Sequence, residues 1–106
     1  MSATSRPFEI LVALNVRDEK GYAEYRSGTA RLLEAHGGRF GVDVRVAEVL
    51  RSPGSAAFNR LFTLRFPSVR EHDAFFADPD YLAVRKRLFE ASVAGVEVIG
   101  RYEVLA

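Results

Sequence analysis

Tyr22, Tyr25, Thr29 and His36 recur along one segment of the chain at spacings of three, four and seven residues. At helical pitch these spacings put two phenols, a hydroxyl and an imidazole on a single stripe. Such groups hydrogen-bond a small phenolic or keto ligand and move protons. Apolar Leu33 lies on the same stripe, so the turn that buries Leu33 also carries the polar groups inward. Buried without partners they would cost roughly 1–3 kcal/mol each. They must therefore bond to one another and to backbone, or open onto water or a ligand. Two plainer readings stand beside this one. Tyr rings at helical spacing serve as core filler, and His36, next to Gly37-Gly38, suits the negative end of a helix dipole.

A second constellation lies on a candidate strand, where Asn59, Thr63 and Arg65 share a face and could hold a carboxylate or enolate oxygen. His72 sits near Val69 and Phe76 on a short amphipathic segment, facing a pocket or solvent. The predicted site thus has His36, Tyr25 and Arg65 as catalytic groups, and Tyr22, Tyr25, Thr29, Asn59, His72 and Tyr81 as ligand-binding groups. Cross-strand ion pairing is the competing reading for Arg65, as it is for Asp43, Arg45, Glu97 and Arg101. Arg85 and Arg87, beside Lys86 and Glu90, read as a solvated helix face.

Several chemistries lack their residues. No His/Asp/Glu cluster has metal-ligand spacing, no glycine-rich segment joins a strand to a helix as a phosphate loop does, and no Gly-x-Ser-x-Gly elbow occurs. The absence of cysteine removes disulfides, thiolate catalysis and cysteine-held metals. Neither a metal nor another cofactor is expected. Fifteen Lys and Arg against fourteen Asp and Glu leave a net charge of +1, which argues against nucleic acid as a partner. Met1–Pro7 lacks the pattern of a secretory signal, and no apolar run approaches the ~18 residues of a membrane span. The expectation is a cytoplasmic protein without a membrane partner.

The elements that must position these groups follow from periodicity. A chain of 106 residues, 48% hydrophobic, suits one domain over 1–106 with its core at about 8–104. Phe8 to Val16 reads as a strand covered on both faces. Asp18 caps a helix that runs to His36 and is closed by Gly37-Gly38. Alternation from Phe40 to Leu50 gives a second strand, broken by Ser52-Pro53-Gly54-Ser55, and Asn59 to Phe66 gives a third that pairs with it as a hairpin. Ser68 and Glu71 form a capping box for a short helix bearing Val69, His72, Phe75 and Phe76. Asp78-Pro79 restarts a helix with Tyr81, Leu82, Arg85, Leu88 and Phe89 at helical spacing. The last strand runs from about Val96 to Leu105. The order βαββαβ predicts an α+β, ferredoxin-like fold: a four-stranded antiparallel sheet with the helices on one face. Its other face, largely apolar, needs a cover, and a second copy about a two-fold axis gives a homodimer.

At Tyr22-Ala-Glu-Tyr25-Arg26, His36-Gly37-Gly38-Arg39-Phe40, Ala47-Glu48-Val49-Leu50, Phe66-Pro67-Ser68 and Asp78-Pro79-Asp80-Tyr81 the chain resembles a known family. It is similar to domain-of-unknown-function family 1330, small bacterial proteins of the dimeric α+β-barrel superfamily. That superfamily also holds antibiotic-biosynthesis monooxygenases and muconolactone-isomerase-like enzymes. The likeness spans about Phe8 to Val104 and implies the fold and the dimer. It departs from the family pattern at Arg51, where a glycine is usual, and at Phe76 and Asp78, where Tyr and Ser are commoner. Two functions remain open: a cofactor-free monooxygenase, isomerase or cyclase holding a small organic substrate between helices and sheet, and a non-catalytic dimeric binding or accessory protein.

Overall fold

The computed structural model describes residues 6–54 and 57–105. Strand β1 (Phe8–Val16) turns Ile10, Val12, Leu14 and Val16 to one face, where all four are buried. Asp18 opens α1 (Glu19–Ala35), its Oδ1 accepting from the Gly21 amide at 3.1 Å. The helix closes as the Gly-Gly pair requires. Gly37 takes a φ of 74°, and the amides of Gly37 and Gly38 donate to the carbonyls of Glu34 and Leu33 at 2.9 and 2.8 Å.

Strands β2 (Arg39–Arg45) and β3 (Arg60–Phe66) form the expected antiparallel hairpin. Extension of β2 to Leu50 does not occur. The last backbone bond runs from Val46 N to Asn59 O at 2.9 Å, and the Asn59 side chain turns the other way, to β1. There its amide accepts from Val16 N and donates to Val16 O, each at 2.8 Å. Residues beyond Val46 find no strand among the described residues to pair with, and Glu48 and Leu50 are exposed. Ser55, the last residue of the sequence break, lies outside the described residues.

Ser68 caps α2 (Val69–Ala77), its hydroxyl accepting from Arg70 N and donating to the Glu71 carboxylate, a side-chain bond that stands in place of the two reciprocal backbone bonds of the expected capping box. Asp78 caps α3 (Pro79–Val84), which continues through one wide π turn (Arg85–Phe89) into a last α turn, α4 (Glu90–Ser92). Strand β4 spans Val93–Glu103, not Val96–Leu105. Its start is fixed by the Ser92 carbonyl, which accepts from the amides of Arg17 and Asp18 at 2.9 and 3.2 Å.

The strand order is β2-β3-β1-β4, every neighbouring pair antiparallel. Helix-facing Phe62, Leu64 and Phe66 of β3 join the buried row of β1, and Tyr22, Leu33, Phe75, Tyr81 and Phe89 close the core from above. The opposite face is mixed. Glu9, Leu11, Thr63 and Arg65 there are half-buried while Ala13 is buried, so the outer face of β1 is covered only in part. No helix among the described residues is long and apolar enough to cross a membrane.

Candidate functional site

Between the helices and the sheet lies a cavity of about 420 Å³, within the ~300–1,000 Å³ usual for small-molecule sites. Its floor is Ile10, Val12, Leu14, Phe62 and Leu64, and its helical walls include Phe75, Phe76 and Phe89. Tyr22, Tyr25 and Thr29 enter from α1, His72 from α2 and Tyr81 from α3. Five of the six residues expected to bind a ligand therefore line one space. No Asp or Glu among the described residues lines it.

The polar groups form two short networks. At the first, the hydroxyls of Tyr25 and Tyr81 bond at 2.8 Å and Arg85 Nη1 donates to Tyr81 at 3.1 Å. Two phenols carry two protons, and a guanidinium only donates. One phenol proton of the pair thus has no acceptor among the described residues. Burial, reinforced by the neighbouring Tyr81, pushes the Tyr25 phenol far above its ordinary pKa. Tyr25 stays protonated and acts as a donor, not a base. Thr29 is held apart, its hydroxyl donating to the Tyr25 carbonyl at 2.9 Å.

At the second network, Arg26 Nε donates to the Tyr22 hydroxyl at 2.7 Å, and its fork reaches Asp43 at 3.2 and 3.3 Å while the guanidinium lies 3.8 Å over Phe40. Arg60 grips the same carboxylate at 2.9 and 3.2 Å. The Arg60 hydrogen bond, helped by Arg26 against partial burial, holds the Asp43 carboxyl below its ordinary pKa. Burial raises the Tyr22 phenol despite Arg26. A carboxyl depressed in the native state stabilises the fold above its unfolded pKa of about 3.9, and the contribution disappears as pH falls through the native value. The melting-temperature gap between the wild type and Asp43→Asn is therefore expected to be widest near neutral pH and to shrink below about pH 4. Thermal melts across that range check it; a gap constant down to pH 2 would contradict it.

His72 is buried among the edges of the Phe8, Phe66 and Phe76 rings. Its Nδ1 meets Asp73 Oδ1 at 2.9 Å, which leaves Nε2 without a protein partner among the described residues. A carboxylate on one ring nitrogen orients the other for proton transfer.

Three expected site residues lie elsewhere. His36 Nε2 bonds Asp78 Oδ2 at 2.9 Å and its ring stands edge-on to Phe75, tying the end of α1 to the cap of α3. That hydrogen bond is the main cause of the lowered Asp78 pKa. Arg65 points to the opposite sheet face, where its cross-strand neighbour Glu9 receives it at 3.0 Å. Asn59 completes the end of β1 with both halves of its amide. Each of the three is held by a hydrogen-bond partner far along the chain.

Arg85, expected in solvent, is instead half-buried and lines the cavity. Helix α3 explains the change: Arg85 follows Tyr81 by one turn of regular α-helix, on the stripe that the spacing of Tyr81, Arg85 and Phe89 already gives. Residues four apart overshoot a full α-helical turn slightly, and the wider turn from Arg85 to Phe89 takes back that drift for Phe89. Tyr81, Arg85 and Phe89 then all face inward, with the Arg85 guanidinium 4.4 Å over the Phe89 ring. The spacing of four, twice repeated, was the signal available in the sequence. Among the described residues, no group of three or more His, Asp or Glu side chains is placed to hold a metal ion.

The strand order and the single helical layer define a ferredoxin-like α+β protein, here with a roofed apolar cavity. The chain belongs to the family described as "Domain of unknown function (DUF1330)", whose model matches residues 10–102. It is similar to RPA0582, a protein of unknown function from Rhodopseudomonas palustris, at 21% identity and a TM-score of 0.80, over 96% of this chain and 85% of that one. A dimeric ferredoxin-like protein of unknown function from Thermobifida fusca matches at 7% identity and a TM-score of 0.64, over 98% and 96%. A hydroxynitrile lyase from Passiflora edulis matches at 15% identity and 0.63, over 94% of each chain. At these identities the likeness is one of fold. No curated protein matches the chain.

Proposed function

We propose that the protein binds a small, largely apolar organic molecule in the cavity beneath α1. An acceptor oxygen of that molecule takes the spare phenol proton of the Tyr25–Tyr81 pair. The observation that carries this reading is the proton count: two hydroxyls, one mutual bond and a donor-only arginine, on the wall of an otherwise apolar space. A buried donor without an acceptor is costly, and a carbonyl oxygen relieves it.

Prodan, a neutral naphthyl ketone whose emission moves to the blue in apolar surroundings, is a suitable probe. One prodan per chain is expected to bind with a blue shift. Val96→Trp, at a half-exposed lining position on β4, is expected to abolish the shift by filling the space. No shift, or an equal shift in the variant, would contradict the reading. The same ketone separates binding from catalysis. The dyad of Asp73 and His72, lining the same cavity as the phenol pair, favours a proton-transfer enzyme as the second reading. Exchange of the ketone's α-protons with deuterated water, fast with the wild type and lost in His72→Gln, would support it; no exchange leaves a binding protein.

The homodimer remains our proposal. Its support is the outer sheet face, where Leu11 and Leu61 are half-buried and Val44 is 44% exposed, together with the dimeric description of the Thermobifida fusca protein.

A further inference from the structure

Three arginines line the cavity, and they are not equivalent. Arg26 is paired with Asp43, a carboxylate it shares with Arg60. Arg85 spends one N–H on the Tyr81 hydroxyl and stacks on Phe89 but has no carboxylate within ion-pair distance among the described residues. Arg101, on β4 across from Ile10, lines the same cavity and is likewise without a carboxylate partner among them. His72 has its own carboxylate in Asp73. Among the described residues the cavity wall therefore presents two positive charges without a carboxylate partner and no negative one.

An apolar body entering this space would strip water from the half-buried Arg85 guanidinium, and a charge deprived of water needs a counter-charge. Nothing on the wall supplies it. We propose that the ligand supplies it: the site takes a monoanionic amphiphile, an aromatic or alicyclic carboxylate or phenolate. Its anionic oxygen lies against Arg85 and the Tyr25–Tyr81 hydroxyls, and Arg101 faces it from the sheet. The proposal rests on the ligand-binding reading above and names its ligand class. A guanidinium fork suits a carboxylate in shape as well as in charge. The spare phenol proton adds a third donor to the same oxygen, as sites for stabilised oxyanions do. The π turn then has a role, since it keeps Phe89 in line with Arg85, so that the guanidinium lies over the Phe89 ring.

Naphthoate and naphthamide share size and shape and differ in charge, so calorimetric titration of both against the full chain isolates the charge. Naphthoate is expected to bind about tenfold or more tightly than naphthamide, the ratio of a charge-assisted to a neutral hydrogen bond. Its affinity is expected to fall with added salt. Arg85→Gln should bring the two affinities together by weakening naphthoate alone. Because Arg85 also packs on Phe89, Arg101→Gln at an exposed strand position provides a variant that keeps the core intact, and it should narrow the ratio too. Equal affinities in the wild type, or a ratio unmoved in both variants, would overturn the anion proposal while leaving a ligand cavity in place. Binding of neither probe, with prodan also unbound, would overturn the cavity reading itself.

Discussion

Phe66→Ala is expected to lower the stability of the fold by about 3–5 kcal/mol, the cost of deleting a buried aromatic ring. Phe66 is 1% exposed, and its ring lies 5.4 Å from His72, 5.7 Å from Phe75 and 6.1 Å from Phe76. It is the point where β3 meets α2. The neighbouring backbone is equally tight, since a Cβ at Gly38 would come within 2.8 Å of the Phe66 ring and 2.4 Å of Leu33. Little can move in to fill the hole, so the cost belongs at the upper end of the range. Domains of this size hold roughly 5–15 kcal/mol in all, and each kcal/mol shifts the melting temperature by about 4–8 °C. The melt should fall by roughly 12 °C or more, read by calorimetry. A loss under about 1 kcal/mol would show that the helical layer is not seated on β3 as described.

Tyr81→Phe is expected to lower stability by about 1–3 kcal/mol through groups it leaves behind. Tyr81 is 1% exposed, and its hydroxyl joins Tyr25 to Arg85. Removing that oxygen strands the Tyr25 hydroxyl in a place where burial keeps it protonated and takes an acceptor from Arg85. Removing the Tyr25 oxygen as well eliminates one stranded group. The double variant Tyr25→Phe/Tyr81→Phe should therefore be more stable than the sum of the single losses implies, by a coupling of about 0.5 kcal/mol or more. Chemical denaturation of the four proteins measures this. Simple additivity would mean that the two hydroxyls do not act as a pair.

The order of elements was legible because local pattern determines it: alternation in β1 and β3, the Asp18, Ser68 and Asp78 caps, and the Gly37 turn each declare themselves within a few residues. The same holds for Tyr22, Tyr25, Thr29, His72 and Tyr81, which reach the cavity because they share helix faces with buried apolar residues. What periodicity cannot read is a partner distant in sequence. His36 is drawn to Asp78 across 42 residues and Arg65 to Glu9 across 56, and in each case the partner decides where the polar atom points. Arg85 was hidden for a different reason. Its spacing from Tyr81 and Phe89 puts it on the inward stripe, but its charged neighbours Lys86, Arg87 and Glu90 read as a solvated face. β2 overran for a related cause, since its alternation continues past the point where β3 has residues left to offer.

The position of a bound ketone tests the ligand site most directly. A crystal structure of the protein with prodan is expected to show the naphthyl ring between Phe75, Phe89 and the β1 floor. Its carbonyl oxygen should lie about 2.7–3.0 Å from the hydroxyl of Tyr25 or Tyr81. Prodan seated on the outer sheet face, or inside the cavity with its oxygen turned away from both phenols, would contradict the account.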